Sequence, residues 1–304
     1  MIASFLKKLL LKNKKLEFYF WYLRTLDKRI FLPTIKVQTM EETIKDLVAT
    51  NKSISRYGDA EFNVVMRKAN PNYQAHDGAL TQRLIEVLES NLDNLIVAIP
   101  RTFYSMEGEK LHIKYFWYTY INKNGKELFS YFNKNKVYGN AAMTRFYLGQ
   151  TDKRVSHRIA KLLKQLWDKK ELLFIEGELS RMGVGNDLFD NATSIKRILC
   201  PSKNAFNSYD AILEAAIQHG KDKVILIALG PTASVLSYDL AKLGYTALDV
   251  GHIDVEYMWM LMKAERVMPI KGRYVSETRD EEDYEIPEEY KSDYENSIIA
   301  KIGV

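Results

Sequence analysis

The sequence of 304 residues contains a single cysteine, Cys200, and only five histidines. One cysteine cannot close an internal disulfide, which is typical of a reducing compartment, and this composition also excludes a Cys/His zinc framework. The aromatic run over 18–23 ends at Arg24 after six residues, far short of the roughly 20 that a membrane-spanning helix needs. No cleavable signal is evident. We expect a cytoplasmic protein, with the inner face of the cell membrane as the alternative location.

Positive charge is concentrated at one end of the chain. Residues 1–36 carry nine lysines and arginines against two acidic residues, a balance of +7, so the rest of the chain carries −2 of the total +5. Nucleic-acid enzymes more often spread basic charge over the fold, so no nucleic-acid partner is expected. Residues 1–39 are predicted to form a basic amphipathic helical extension. It lies either on an anionic membrane surface or against the protein body or a second subunit.

Strands and helices alternate over the remainder, residues 40–304. Apolar runs predict strands over 53–57, 94–99, 172–176, 195–200, 223–229 and 246–250. Helical periodicity is found over 80–90, 155–167, 209–219, 233–243 and 253–263. This alternation predicts one α/β domain with a mainly parallel sheet flanked by helices. Ligands of such sheets bind beyond the carboxyl ends of the strands.

The first candidate site follows the first of these strands. In an extended segment Asp59 and Glu61 would point to the same side and offer two carboxylates to one divalent metal ion. Arg56 could pair with a phosphate group, and Gly58 permits a close backbone turn. The alternative is that Glu61 caps the helix that follows.

The second candidate site is the turn after strand 223–229. Small residues where a helix begins can expose backbone N–H groups that bind an anion. The spacing matches neither the dinucleotide-binding nor the Walker A pattern, so neither NAD nor ATP is indicated. The alternative is an ordinary turn with Thr232 as the N-cap. The residues concerned are Gly230, Pro231, Thr232 and Ala233.

A third candidate site follows strand 246–250, where His252, Asp254 and Glu256 bring ionisable groups close together. His252 or Asp254 could take a proton from a substrate hydroxyl, and a carboxylate could help to hold a metal ion. A lone histidine is more often structural, but the flanking carboxylates at a ligand-binding edge favour a catalytic role.

A glycine-rich stretch over 176–189 suits a loop that closes on a phosphorylated ligand, with a plain polar connection as the alternative. Phe206, after the next strand, is a weaker candidate for stacking on a base. The acidic stretch 276–291 is interpreted as solvated surface. The predicted ligand contacts are Glu176, Arg181, Gly183, Lys203 and Asn204.

Taken together, these stretches resemble the GT-D glycosyltransferases of bacterial glycan and glycoprotein assembly. The likeness covers roughly residues 40–274. The similar motifs are RYGDAEF at 56–62, SRMGVGNDLFDNA at 180–192, IKRILCPSKNAF at 195–206, ALGPTA at 228–233 and DVGHIDVEY at 249–257.

The resemblance implies a Rossmann-like but distinct α/β fold for a catalytic domain over 40–304, and a UDP-sugar donor such as UDP-glucose. It also implies a D-x-E metal motif, here Asp59 and Glu61, that binds Mn²⁺ or Mg²⁺ with Arg56 as its companion. Tyr57 and Ala60 stand where the family pattern has Phe and Gly. The alanine narrows the backbone conformations available at the metal turn.

The predicted reaction is metal-dependent hexosyl transfer in surface polysaccharide or glycoprotein biosynthesis, with a glycan, glycoprotein or lipid-linked acceptor. The cation, Arg56 and helix N–H groups would stabilise charge on the departing diphosphate. One alternative is another Rossmann-type transferase, such as a methyltransferase. The other is a non-catalytic scaffold of a glycan-assembly complex, anchored through residues 1–36. Assembly of the protein into an oligomer is compatible with the predicted reaction and with both alternatives.

Overall fold

A computed structural model describes residues 13–24, 32–68, 77–278 and 284–304. Predictions that fall on residues 1–12, 25–31 and 279–283 lie outside this part of the chain. The strands are β1 (Lys36–Val37), β2 (Ser53–Arg56), β3 (Leu95–Ile99), β4 (Val137–Asn140), β5 (Glu171–Gly177), β6 (Ser194–Cys200), β7 (Val224–Ala228), β8 (Thr246–Asp249) and β9 (Ile298–Lys301). They form one parallel sheet in the order β1-β4-β3-β2-β8-β7-β5-β6-β9.

Helices cover both faces of this sheet. They are α1 (Lys14–Arg24), α2 (Met40–Thr50), α3 (Asp59–Val65), α4 (Gly78–Glu89), α5 (Leu111–Leu128), α6 (Lys153–Leu163), α7 (Tyr209–Gly220), α8 (Pro231–Lys242), α9 (Ile253–Leu261) and α10 (Glu288–Ser297). Local sequence fixes several of their starts. Thr39 and Glu42 form a capping box at α2, and Asp77 accepts the Leu80 N–H at the start of α4.

Alternate residues of the central strands enter separate cores on the two faces of the sheet. In β5, Leu172 and Phe174 join the core on one face, whereas Leu173 and Ile175 join the core on the other. All four are fully buried. A strand covered on both faces needs a continuous apolar run, which explains why this segment shows no polar alternation. The predicted α/β fold with a parallel sheet is confirmed.

Two neighbouring crevices arise from the strand order. From β2 the chain continues to β3 on one side, whereas from the adjacent β8 it continues toward β9 on the other. The same divergence separates β7, which leads to β8, from β5, which leads to β6. Ligands of open α/β sheets bind at such topological switch points. Both crevices lie at the edge where the carboxyl ends of the strands meet.

Part of the predicted N-terminal extension packs on α5. Phe18 of α1 is buried against Tyr118, whose hydroxyl donates to the Tyr22 carbonyl at 2.9 Å. Residues 36–37 pair with β4 and so belong to the sheet, although they precede the predicted boundary at residue 39. Across the described ranges, no helix combines the length and apolar character needed to cross a membrane.

Candidate active site

Most of the predicted site residues lie beyond the ends of five adjacent strands, β2, β8, β7, β5 and β6. Because all strands are parallel, these ends share one edge. Four inter-strand spacings of about 4.8 Å make this edge roughly 19 Å wide. Several of them lie in the first turn of the helix that follows a strand: Asp59 and Glu61 in α3, Pro231 to Ala233 in α8, and Asp254 and Glu256 in α9.

Arg56 forms a buried ion pair across the crevice between β2 and β8. Its guanidinium donates to the Asp249 carboxylate at 2.9 Å and to the Asp249 and Ala141 carbonyls at 2.6 and 3.2 Å. Gly251 has a φ of +45°, and a Cβ there would lie 2.1 Å from an Arg56 nitrogen. Arg56, which was predicted to bind a phosphate, therefore donates its hydrogen bonds to acceptors within the protein. These hydrogen bonds link the end of β2 to the end of β8.

The two acidic residues of the D-x-E motif begin a helix. Asp59 is the first residue of α3, and the Glu61 carboxylate accepts the Gly58 N–H at 2.7 Å. The expectation of an extended segment is wrong, because residues two apart on a helix point in different directions. Glu61 makes the capping contact that the alternative predicted. Burial raises the pKa of Glu61 to about 7, with a further contribution from Asp249.

The first turn of α3 fits a divalent cation only in part. Asp59 is exposed at the edge of the sheet, whereas one oxygen of Glu61 already accepts a backbone N–H. Among the residues that the structure describes, no three or more His, Cys, Asp or Glu side chains are grouped to hold a metal ion. Mg²⁺ commonly takes one or two carboxylates together with substrate phosphates. Asp59 therefore suits a cation that the substrate itself mainly coordinates.

His252 lies in a network of charged side chains beside this turn. One ring nitrogen lies 3.2 Å from Arg145, and the other lies 2.9 Å from the Glu277 carboxylate. Arg145 also donates to Glu277 at 2.7 Å, which closes the network. Burial lowers the pKa of His252, and Arg145 lowers it further, although Glu277 opposes both. A histidine with this shift is mainly neutral at pH 7. Its N–H then faces Glu277, and its unprotonated nitrogen faces the Arg145 N–H.

Glu277 remains ionised in this network. Burial alone would raise the pKa of its carboxyl group, but His252 and Arg145 hold it well below its usual value. A carboxylate hydrogen-bonded to one ring nitrogen of a histidine fixes the orientation and proton position of the ring. Glu277 therefore holds the ring so that its other nitrogen faces Arg145.

Asp254 and Glu256 are buried in internal contacts. Asp254 pairs with Arg273 and accepts the Gly183 N–H at 2.9 Å. Glu256 accepts the N–H groups of Tyr147 and Leu148 at 2.8 and 2.9 Å. Their accessible fractions are each 2%, so neither carboxylate faces the solvent edge where a substrate hydroxyl would enter.

The glycine-rich stretch 176–189 is held in place by several hydrogen bonds. Glu176 accepts the Met182 N–H at 2.8 Å and pairs with Arg197. Arg181 donates to the Gly272 carbonyl at 2.5 Å and also to the Tyr284 carbonyl. Gly183 has a φ of +78°, and a Cβ there would lie 2.9 Å from Phe189. These contacts give the stretch a defined shape.

The remaining predicted residues line the edge beyond β7 and β6. Gly230 is the N-cap of α8, with a φ of 54°, so the alternative with Thr232 as N-cap is wrong. Gly230 is half-buried, and the three residues after it, Pro231, Thr232 and Ala233, are buried. Lys203 is exposed, Asn204 has a left-handed φ of +54°, and Phe206 packs against Tyr209.

Three charged residues near the crevice between β2 and β8 were not predicted as site residues: Arg145, Asp249 and Glu277. Asp249 belongs to the quoted motif, and its position at the end of an apolar strand was a usable signal. Glu277 lies in the acidic stretch interpreted as solvated surface. Arg145 is 107 residues from His252 and follows the short strand β4, so no local pattern connects it with the site.

Comparison with known proteins identifies the family. The model of the glycosyltransferase GT-D fold matches residues 54–278. The chain belongs to the GT-D glycosyltransferase family. The match spans the D-x-E turn, the His252 network and all five strand ends of the candidate site. The suspected resemblance is thereby confirmed.

Solved structures with a glycosyltransferase fold match most of this chain. One, described as domain of unknown function 1792 with a distinct glycosyltransferase fold, is 37% identical, with a TM-score of 0.83. The match covers 88% of this chain and 96% of that one. Another, described as a new glycosyltransferase from Streptococcus sanguinis, is 36% identical with a TM-score of 0.83, over 89% of this chain and all of that one.

Two curated streptococcal proteins are similar to this chain over part of their length. A probable glycosyl transferase Gly from Streptococcus gordonii is 37% identical over 88% of this chain. Glycosyltransferase GlyD from Streptococcus pneumoniae is 34% identical over 89% of this chain. The matches span only 39% and 33% of those proteins, so both relatives contain long regions without a counterpart in the alignment.

Proposed function

We propose that this GT-D protein transfers a sugar from a nucleotide-sugar donor, UDP-glucose being the first candidate, onto a glycan, glycoprotein or lipid-linked acceptor. The pathway would be surface polysaccharide or glycoprotein biosynthesis in the cytoplasm. The observation that carries this proposal is the switch point itself, where Asp59 follows β2 and His252 follows the adjacent strand β8 of a GT-D sheet. It supplies a carboxylate for a diphosphate-bound cation and a neutral base for a hydroxyl.

The donor diphosphate would lie at the crevice between β2 and β8. A Mn²⁺ or Mg²⁺ ion held there by Asp59 and the phosphates would offset charge on the departing diphosphate. Glu61 would preserve the turn by accepting the Gly58 N–H. The nucleoside end would extend along the edge toward Gly230 and the loop 176–189, with Lys203 and Asn204 beyond. Arg56 and Glu176 would position these segments from within the protein.

His252 would accept the proton of the attacking hydroxyl at the ring nitrogen that faces Arg145, after the acceptor displaces the Arg145 side chain from that nitrogen. Its ring is half-buried and neutral at pH 7, and Glu277 and Arg145 fix its orientation. Positioned bases of this kind typically contribute ~10²–10⁴-fold to a rate. Asp254 and Glu256 would hold the surrounding backbone, because their carboxylates are engaged with Arg273 and with backbone N–H groups.

A panel of donors tests the proposal. The protein is incubated with UDP-glucose and other nucleotide sugars, with Mn²⁺ or with EDTA, and nucleoside diphosphate release is measured. We expect release from a UDP-sugar that depends on the metal ion. Turnover of none of the donors, together with binding of S-adenosylmethionine, would favour the methyltransferase alternative. Turnover of none without such binding would favour the scaffold.

Contact of α1 with the inner face of the cell membrane is part of the proposal. Leu16, Tyr19 and Leu23 are 48, 50 and 67% exposed and share one helix face. The basic charge of residues 1–36 complements anionic lipid. Wild-type protein should pellet with phosphatidylglycerol vesicles, and a Leu16→Glu/Leu23→Glu variant should not. Equal pelleting of the two proteins would contradict this contact.

A further inference from the structure

An aromatic cluster on α5 borders the D-x-E turn. The ring of Phe116 lies 5.2 Å from that of Trp117 and 6.1 Å from that of Tyr120, and the latter two are 5.5 Å apart. Phe116 is 42% exposed, and the other two rings are half-buried. We refer to Phe116, Trp117 and Tyr120 as the aromatic platform.

The platform is joined directly to α3. The Tyr120 hydroxyl donates to the Asn63 side chain at 2.9 Å and lies 3.5 Å from the Asp59 carbonyl oxygen. Burial raises the pKa of Tyr120, and the nearby carboxylates of Asp59 and Glu61 raise it further. The half-buried ring of Tyr120 therefore contacts the helix turn that carries the proposed metal-binding carboxylate.

Chain direction places the exposed ring toward the ligand-binding edge. Helix α5 follows β3 and precedes β4, so it runs from the carboxyl ends of the strands back toward their amino ends. Phe116 precedes Tyr120 by one turn and shares its helix face. Since Tyr120 contacts the first turn of α3, Phe116 lies on the side of that contact nearer the open edge.

The platform and the proposed donor contacts occupy opposite sides of β2. Gly230, the loop 176–189 and Lys203 follow β7, β5 and β6, which lie on the β8 side of the sheet. Ile121 and Leu128 of α5 belong instead to the core that contains buried side chains of β3 and Tyr138 of β4. A diphosphate at the crevice between β2 and β8 would direct the nucleoside away from the platform. The platform side is then where the second substrate must enter.

Part of the platform is anchored in the core. Trp117 packs edge-on against buried Phe103 at 5.7 Å, and Tyr120 is fixed by its hydroxyl. Phe116 alone projects a large part of its ring into solvent. Single exposed apolar residues are common on protein surfaces. This one extends a rigid aromatic surface that reaches the candidate catalytic turn, where an exposed apolar face commonly marks a binding site.

We propose that the aromatic platform binds a pyranose ring of the acceptor glycan, with the apolar C–H face of the sugar against Phe116 and Tyr120. This inference rests on the proposed function, because it assigns the second substrate of the same site. Aromatic side chains suit such a ligand, since a sugar ring offers one face of C–H groups and a rim of hydroxyls. The hydroxyls would then point toward Asp59 and His252.

Saturation-transfer-difference NMR on the full chain tests the inference without requiring turnover. The probes are the methyl glycosides of glucose, galactose and N-acetylglucosamine, with UDP as a separate probe. We expect saturation of ring C–H protons of at least one glycoside by wild-type protein. Phe116→Ala should reduce that signal at least threefold, and Phe116→Tyr, which keeps the ring, should restore it.

Leu243→Ala serves as the matched control, because Leu243 is 55% exposed at the opposite end of α8 from the site. It should keep the wild-type signal, and all variants should keep the wild-type Tm. Three results would overturn the inference. They are no glycoside signal from wild-type protein, an unchanged signal in Phe116→Ala, or loss of only the uracil signal of UDP in that variant.

Two further measurements distinguish sugar binding by the platform from a membrane contact and from the proposed donor reaction. If Phe116→Ala lowers pelleting with phosphatidylglycerol vesicles but keeps the glycoside signal, the platform is a membrane contact and the inference fails. Donor turnover by wild-type protein is scored independently. If wild-type protein turns over no donor but shows a glycoside signal that depends on Phe116, the proposed function is contradicted. Sugar binding by the aromatic platform is then still supported.

Discussion

Arg56 and Asp249 form a buried ion pair beneath the candidate site, with side chains only 13 and 4% exposed. Asp249→Ala would leave the guanidinium buried without its counter-charge. We expect the free energy of unfolding to fall by about 3–5 kcal/mol, measured by urea denaturation. Arg154→Ala, which removes an exposed pair with Asp152, should leave stability nearly unchanged. Equal effects of the two substitutions would contradict the structural role of Asp249.

The pKa of His252 should respond in opposite directions to its two neighbours. Glu277→Gln removes the carboxylate that raises this pKa, so the value should fall further. Arg145→Gln removes a positive charge that lowers the pKa, so the value should rise. NMR titration of the imidazole protons measures both shifts. A His252 pKa insensitive to both substitutions would show that the three side chains do not interact.

The sign of the accompanying stability change follows from linkage. The folded-state pKa of His252 lies below the usual 6.5, so the unfolded chain binds the proton first as the pH falls. The stability contributed by neutral His252 is present above pH 6.5 and is lost as the pH falls through that value toward the folded-state pKa. His252→Gln should therefore lose less stability than wild-type protein between about pH 7 and about pH 5.

Sequence motifs predicted the position of the candidate site but not all of its contacts. Asp59 and His252 could be recognised because each lies three residues beyond the end of a strand that was predicted, β2 or β8. The partners of His252 could not, since Arg145 is 107 residues distant and is brought near only by the strand order. The ion pair between Arg56 and Asp249 could not be predicted either, because an arginine in a motif can pair equally well with a phosphate or a carboxylate.

At the scale of elements, the six predicted strands correspond to β2, β3 and β5 to β8. The strands β3, β5 and β7 contain continuous apolar runs, which explains the success for these three. The strands β1, β4 and β9 have only two to four residues and mixed exposure, too little for a periodic signal. The D-x-E turn was misjudged for a related reason. The helix α3 begins only three residues after β2 ends, and the strand period does not apply there.

Docking of α1 on α5 should depend on one buried ring. Phe18 is 6% exposed and contacts Tyr118 at 5.7 Å. Phe18→Ala should detach the helix locally, because that contact provides much of its buried apolar surface. Hydrogen exchange of residues 14–24 should speed up while the Tm changes little. Leu23→Ala, at a 67% exposed position, is the control. Equal exchange in both variants would contradict this packing.

At the scale of the whole molecule, the site divides along β2. Predicted donor contacts lie on the side of β8, β7, β5 and β6, and the aromatic platform lies on the side of β3 and β4. Asp59 and His252 stand between the two sides. Sequence similarity to GT-D proteins predicted the fold and the family. The proposed division into donor and acceptor sides depends on strand order, which became visible only in the folded structure.

Release of UDP from UDP-glucose by wild-type protein, Asp59→Asn and Asp93→Asn tests the central claim most directly. Asp93 is an exposed carboxylate before β3, at the opposite end of the sheet, so its substitution makes the same charge change away from the site. The proposed function predicts Mn²⁺-dependent release by wild-type and Asp93→Asn, and a loss on the order of 100-fold or more in Asp59→Asn with unchanged Tm. Release by Asp59→Asn at the wild-type rate would contradict it.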